Sequence, residues 1–121
     1  MRETRNVRVL TRDENERYDY IMLNSRQRAQ LRALGNPLDT ILQVGKDGIS
    51  ENTVQSVKDM LGKREIIKCR VLETSGLTAQ EAADALAKAC LAEVVQTIGS
   101  RFVLYKENRE MDKDKRIKLV K

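Results

Sequence analysis

The stretch Thr40-Ile41-Leu42-Gln43-Val44-Gly45-Lys46-Asp47-Gly48-Ile49-Ser50 limits the fold of this chain more than any other. An apolar run ends at Val44, four residues follow with glycine at each end, and Ser50 opens a helical pattern. The order is strand, tight loop, helix. Glycines can turn through positive φ and carry no side chain to keep a bulky ligand off the backbone. The loop amides then become a surface for an anion, Lys46 adds a mobile point charge, and the positive end of the next helix favours the same ligand sign. A phosphate fits such a loop, although Gly-x-x-Gly also serves as plain punctuation between a strand and a helix.

Nucleotide-binding loops need more glycines or a Gly-Lys-Ser/Thr ending, and neither pattern occurs here. Nucleic-acid backbone is the remaining phosphate ligand, held in K-homology domains by a Gly-x-x-Gly loop.

On either side, the segments alternate in period. Asn24 and Gln27 have the form of a capping box, and Gly35 followed by Pro37 supplies a stop. They bound a first helix with Leu31 and Leu34 on one face and Arg28 and Arg32 one turn apart on another, with Arg26 nearby. That basic face is either a backbone-contact surface or a solvated one. After strand one and the glycine loop, a second helix is expected from Ser50 to Gly62, with Val54, Val57 and Leu61 inward. Strand two, Ile66 to Glu73, alternates: Ile67, Cys69 and Val71 point one way, Lys68 and Arg70 the other. Thr78 and Glu81 form a second capping box opening helix three, where Ala79, Ala82, Leu86, Ala89 and Cys90 recur at helical spacing. Strands three (Glu93 to Ile98) and four (Arg101 to Lys106) flank Gly99-Ser100, a hairpin connection. The expected class is α/β (α+β), a four-stranded mixed sheet packed with helices. The first three strands are candidates for parallel pairing.

With 121 residues and 40% hydrophobic content, the chain fits one domain with charged ends. Residues 1–22 read as a charged extension, 23–107 as the domain and 108–121 as a mobile basic tail, the last with six bases and three acids. The net charge of +5 is uneven and suggests a patch. There is no histidine, which removes the commonest general base and metal ligand, so neither catalysis nor a metal or cofactor is expected. No run is long enough to span a membrane, and Cys69 and Cys90 read as small buried hydrophobes, which together suggest a reducing, cytoplasmic setting. Phe102-Val103-Leu104-Tyr105 matches the end of an RNA-recognition signature whose start is missing, and reads as core. At 3% aromatic residues, base stacking cannot be the main mode of recognition.

Four segments carry a family resemblance: Leu23 to Arg32, Ile41 to Asn52, Arg64 to Glu73 and Val94 to Tyr105. In register from about Met22 to Lys106, they resemble the CRM domain (chloroplast RNA splicing and ribosome maturation), in particular its bacterial stand-alone form. The resemblance implies a fold similar to the C-terminal domain of translation initiation factor three. It also implies RNA binding through the loop and association with large-subunit ribosomal precursors, without a membrane or a small-molecule substrate. Carried over by position, the RNA-binding residues are Gly45, Lys46, Asp47 and Gly48, supported by Arg26, Arg28, Arg32, Arg64 and Lys68. Two departures stand out. Asp47 replaces the usual small or neutral residue and opposes a phosphate at a cost of about 1 kcal/mol when solvated. Stand-alone members begin close to Met22, which makes Met22 an expected alternative start. The chain is expected to act as a monomer on ribosomal RNA. Two competing readings are a protein-interaction module that docks a ribosomal protein through its basic sheet face and, more remotely, an enzyme acting on RNA.

Overall fold

The computed structural model describes residues 23–121. The expected extension 1–22, with Met22, lies outside the described residues. Three helices open on reciprocal caps. In α1 (Ser25–Gly35) the Gln27 amide donates to Asn24 Oδ1 at 2.8 Å and the Asn24 amide to Gln27 Oε1 at 3.0 Å. In α3 (Ala79–Cys90) Thr78 and Glu81 exchange the same pair of bonds at 3.1 and 2.9 Å. α2 (Glu51–Arg64) is capped by Ser50, whose box partner is Thr53, a residue the sequence pattern did not single out. Each box satisfies donors that a helix start leaves open.

Between them run β1 (Thr40–Val44), β2 (Ile66–Val71), β3 (Glu93–Ile98) and β4 (Arg101–Tyr105), with a 3₁₀ turn over Glu73–Ser75. The sheet order is β1-β2-β4-β3, with β1 and β2 parallel and β4 antiparallel to both neighbours. The first three strands therefore share a direction, as expected, but β3 does not pair with β2. β4 is inserted between them. The reason is legible in burial: Phe102, Val103, Leu104 and Tyr105 are all buried, so β4 needs cover on both faces, and only a central strand has it.

α2 and α3 cover one face, where Val57, Leu61, Ala82, Ala83 and Leu86 meet Ile67, Cys69, Phe102 and Leu104. Small residues along α3 let it lie close to the sheet. On the other face, Leu31 of α1 packs with Ile66, Val95, Val103 and Tyr105. A Cβ on Gly35 would lie 3.0 Å from Val103 Cγ1, so this glycine permits the close approach of α1 as well as ending it. Both cysteines are free and buried, matching their reading as hydrophobes.

Two expectations are corrected. Helix two does not stop at Gly62; it continues to Arg64 and ends on Glu65, a left-handed cap with φ 63°. Nor is the segment after residue 107 a mobile tail. Ile117 and Leu119 pack onto the α1-side core, while Gln27 donates to Val120 O at 2.9 Å and Gln30 to Lys118 O at 2.8 Å. Glu65, wholly buried, accepts from the Asn108 amide at 2.7 Å and the Ile117 amide at 2.6 Å. The segment is a docked strap beside α1.

Candidate nucleic-acid interface

β1 ends at Val44 and hands the chain to Gly45 without an intervening residue. The Gly48 amide donates to Gly45 O at 2.8 Å, closing a four-residue turn. Thr53 Oγ1, in the first turn of α2, donates to Gly48 O at 3.3 Å and ties the loop to the helix cap. Of the two glycines only Gly48 has positive φ, at 65°. Gly45 is not so constrained: an added Cβ would make ordinary contact with Leu72 Cδ1 at 3.4 Å. With the Gly48 amide already taken, the loop amides left for a ligand are those of Gly45, Lys46 and Asp47, none of which donates within the described residues. The side chains of Lys46 and Asp47 are exposed.

The loop stands at the edge of the sheet where β1 and β2 end and β4 begins. The Leu72 amide donates to Val44 O at 2.9 Å and the Val71 amide to Ser100 O at 2.8 Å, bringing the loop, the turn after β2 and the β3–β4 hairpin side by side. Register aligns Gln43 with Arg70, Arg70 with Arg101, and Arg101 with Ile98, one row across all four strands on the α1 side. Arg101 is exposed, and Arg70 Nε is buried with no hydrogen-bond partner. Arg70 as a whole is half-buried and adds charge to this row beside the exposed Arg101.

The other expected bases are distributed differently. Lys68 lies one step further along β2 on the same face, its Nζ donating to Asn36 O at 2.7 Å. Arg28 donates to Val94 O at 3.1 Å and pairs with Glu93 at 3.3 Å, near the start of β3. Arg64 ends α2 and precedes β2, so it stands a strand length, roughly 20 Å, from the loop. Arg26 and Arg32 are exposed on α1. The structure thus joins Lys46 and Lys68 to Arg70 and Arg101 at one pole, and sets Arg28 and Arg64 toward the other.

Arg70 and Arg101 are the residues that sequence reasoning passed over as site residues. Arg70 was visible as the partner of Lys68 in the strand alternation. Arg101 carried no signal beyond its place after the hairpin. Phe102 to Tyr105, read as core, are core.

Burial pushes the Cys69 thiol up to about 12, with the nearby Cys90 adding to the shift, and raises Cys90 too, so neither is a reactive thiolate. Among the described residues no group of three or more His, Cys, Asp or Glu side chains could hold a metal, and no helix is long and apolar enough to cross a membrane.

A small α/β domain that presents a Gly-x-x-Gly loop beside a basic sheet edge is the class these features define. The family model of the CRS1 / YhbY (CRM) domain matches residues 23–106, and the chain belongs to that family. It is 39% identical over 89 residues to the Bacillus subtilis protein named "Probable RNA-binding protein YqeI", covering 74% of this chain and 93% of the relative. A Haemophilus influenzae protein named "RNA-binding protein" is 30% identical over 88 residues, 73% of this chain and 89% of that one. The solution structure of Staphylococcus aureus SAV1595 superposes with a TM-score of 0.64 at 37% identity, covering 82% of this chain and all of the other.

Proposed function

We propose that this chain is an RNA-binding protein that captures RNA backbone at the Gly45–Gly48 edge of the sheet, and that its ligand is ribosomal RNA of the large subunit, in the service of assembly. The observation that carries the reading is the row of Arg70 and Arg101 at the end of the sheet beside the loop. The free loop amides, Lys46, Arg70 and Arg101 offer fixed and mobile positive charge along one edge, which is what a phosphate chain requires. Family membership and the names of the relatives support the same ligand class. Arg26, Arg28 and Arg32 add positive charge on α1, Arg64 stands a strand length from the loop and outside the contact, and the role asks for binding without catalysis.

The test is fluorescence-anisotropy binding of a structured large-subunit RNA fragment to the wild type and to a Lys46→Ala, Gly48→Asp double variant. A Cβ on Gly48 would meet nothing within 4 Å, but its φ of 65° strains any residue with a side chain, so Lys46→Ala alone is measured beside the double variant as the unstrained comparison. Affinity is expected to fall at least about tenfold, the loss of one charged contact plus an introduced repulsion. Equal affinity would overturn the loop as the clamp. Binding unchanged by salt and by RNase treatment of the sample would point to a protein partner instead.

A further inference from the structure

The α1 side of the sheet is only half covered. α1 and the strap cover Ile66, Val95, Val103 and Tyr105, whereas the half beside the glycine loop carries Gln43, Arg70, Arg101 and Ile98 in one row and Lys68 and Gln96 in the next. A depression there is lined by Asn36, Lys68, Gln96, Ile98, Arg101 and Val103.

Two features of that depression, and Arg70 beside it, have no structural use within the fold. Ile98 is 61% exposed, an apolar side chain held open to solvent beside a guanidinium. Arg70 Nε is buried and without a partner. Gln96 Nε2 donates to Asn36 Oδ1 at 2.7 Å, which fixes the two amides edge to edge and leaves Asn36 Nδ2 and Gln96 Oε1 without partners among the described residues. A donor and an acceptor are thereby presented together over an apolar floor. Neither row contains a carboxylate.

We infer that this half-face seats one unpaired nucleotide of the bound RNA, its base on Ile98 with its edge at the Asn36–Gln96 amides, and its phosphate at Arg70 and Arg101. The inference rests on the RNA-binding reading above and narrows it to a class of ligand. A nucleobase is a flat apolar body with donors and acceptors side by side on its rim, and those features match this depression. Only an unpaired base can present that rim and a flat face together. In a continuous A-form duplex the Watson–Crick edges are paired, the major groove is too narrow for side chains, and the shallow minor groove shows base edges while the flat faces stay stacked. The adjacent phosphate then falls toward Lys46, two strand spacings, roughly 10 Å, along the sheet edge. The chain has few aromatic side chains, so edge recognition over an aliphatic floor takes the place of stacking.

The test uses the full chain and two probes of one sequence: a mixed-sequence single-stranded RNA of about 12 nucleotides, within the span such sites occupy, and the same strand annealed to its complement. The wild type is expected to bind the single strand at least about tenfold more tightly than the duplex at about 0.15 M salt. A Gln96→Ala, Ile98→Ala double variant, which removes no charge and leaves the buried core intact, should lose about tenfold on the single strand and nothing on the duplex. Arg70→Ala should lower the salt slope on the single strand by about one contact. If the wild type binds both probes equally, or the double variant binds the single strand as the wild type does, the nucleotide seat is overturned while RNA binding stands. If the wild type binds neither probe nor the ribosomal fragment, the RNA-binding reading falls and the seat falls with it.

Discussion

Glu65→Ala should release the strap and destabilise the whole domain. The carboxylate is 0% exposed and caps α2 in a left-handed conformation at φ 63°. Its Oε2 accepts from the Asn108 amide at 2.7 Å, its Oε1 from the Ile117 amide at 2.6 Å, and Arg116 Nε approaches to 3.8 Å. Each amide bond to a charged acceptor contributes about 1.5–3 kcal/mol. The cost of burying the carboxylate offsets part of that. The Arg116 contact adds little, because the same side chain keeps Glu107 at 2.8 Å. The net loss is about 3 kcal/mol, and in a domain of this size about 4–8 °C accompanies each kcal/mol, so the melting midpoint should drop by about 12 °C or more. Glu65→Gly should fall by about 1 kcal/mol less than Glu65→Ala, because only glycine adopts that φ without strain. Thermal unfolding gives the midpoint, and hydrogen exchange at the Asn108 and Ile117 amides reports the strap directly. A shift under about 2 °C with the Ile117 amide still protected would refute the latch.

Gly35→Ala places a methyl 3.0 Å from Val103 Cγ1 and should cost about 1–3 kcal/mol in denaturant unfolding. Gly62→Ala, inside α2 with nothing within 4 Å of the new Cβ, should stabilise by about 0.5–1 kcal/mol in the same assay. Stability should fall as the pH rises above about 9. Burial raises Cys69 from its ordinary 9.0 to about 12, and Tyr105 is likewise pushed up to about 12 by burial and by Glu65. Above pH 9 the unfolded chain therefore holds fewer protons than the folded one, and the slope is negative until the folded groups ionise. Melting at pH 7 and pH 10.5 should differ by about 2 kcal/mol from Cys69 alone; a Cys69→Ala chain with the same pH dependence would contradict that assignment.

Local chemistry made most elements legible. The Asn24–Gln27 and Thr78–Glu81 boxes mark helix starts because a helix N-terminus must satisfy its free amides, and the alternation through Ile67, Cys69 and Val71 marks a strand with one buried face. What the sequence hid was non-local. Gly62 reads as a stop because glycine is a poor helix former, yet the Glu65 carboxylate, fixed by amides more than forty residues away, sets where α2 ends. The charges of residues 108–121 read as a solvated tail because Ile117 and Leu119 are too few to signal burial; only the groove between α1 and the sheet gives them a place. The site divides in the same way. Its loop was visible as a strand–glycine–helix junction, but Arg70 and Arg101 meet only through the insertion of β4 next to β2, and that pairing has no local signature.

The most direct test of the central claim, that RNA is held at the loop pole, is the slope of log affinity against log salt for single charge variants on one RNA. Each phosphate contact contributes a slope of about −0.7 on single strands and about −0.9 on duplex. Lys46→Ala and Arg101→Ala should each flatten the wild-type slope by about one such step. Arg64→Ala, at the far end of β2, should leave it unchanged. The opposite pattern, in which Arg64→Ala takes the step while Lys46→Ala and Arg101→Ala do not, would contradict the account and move the RNA to the other pole.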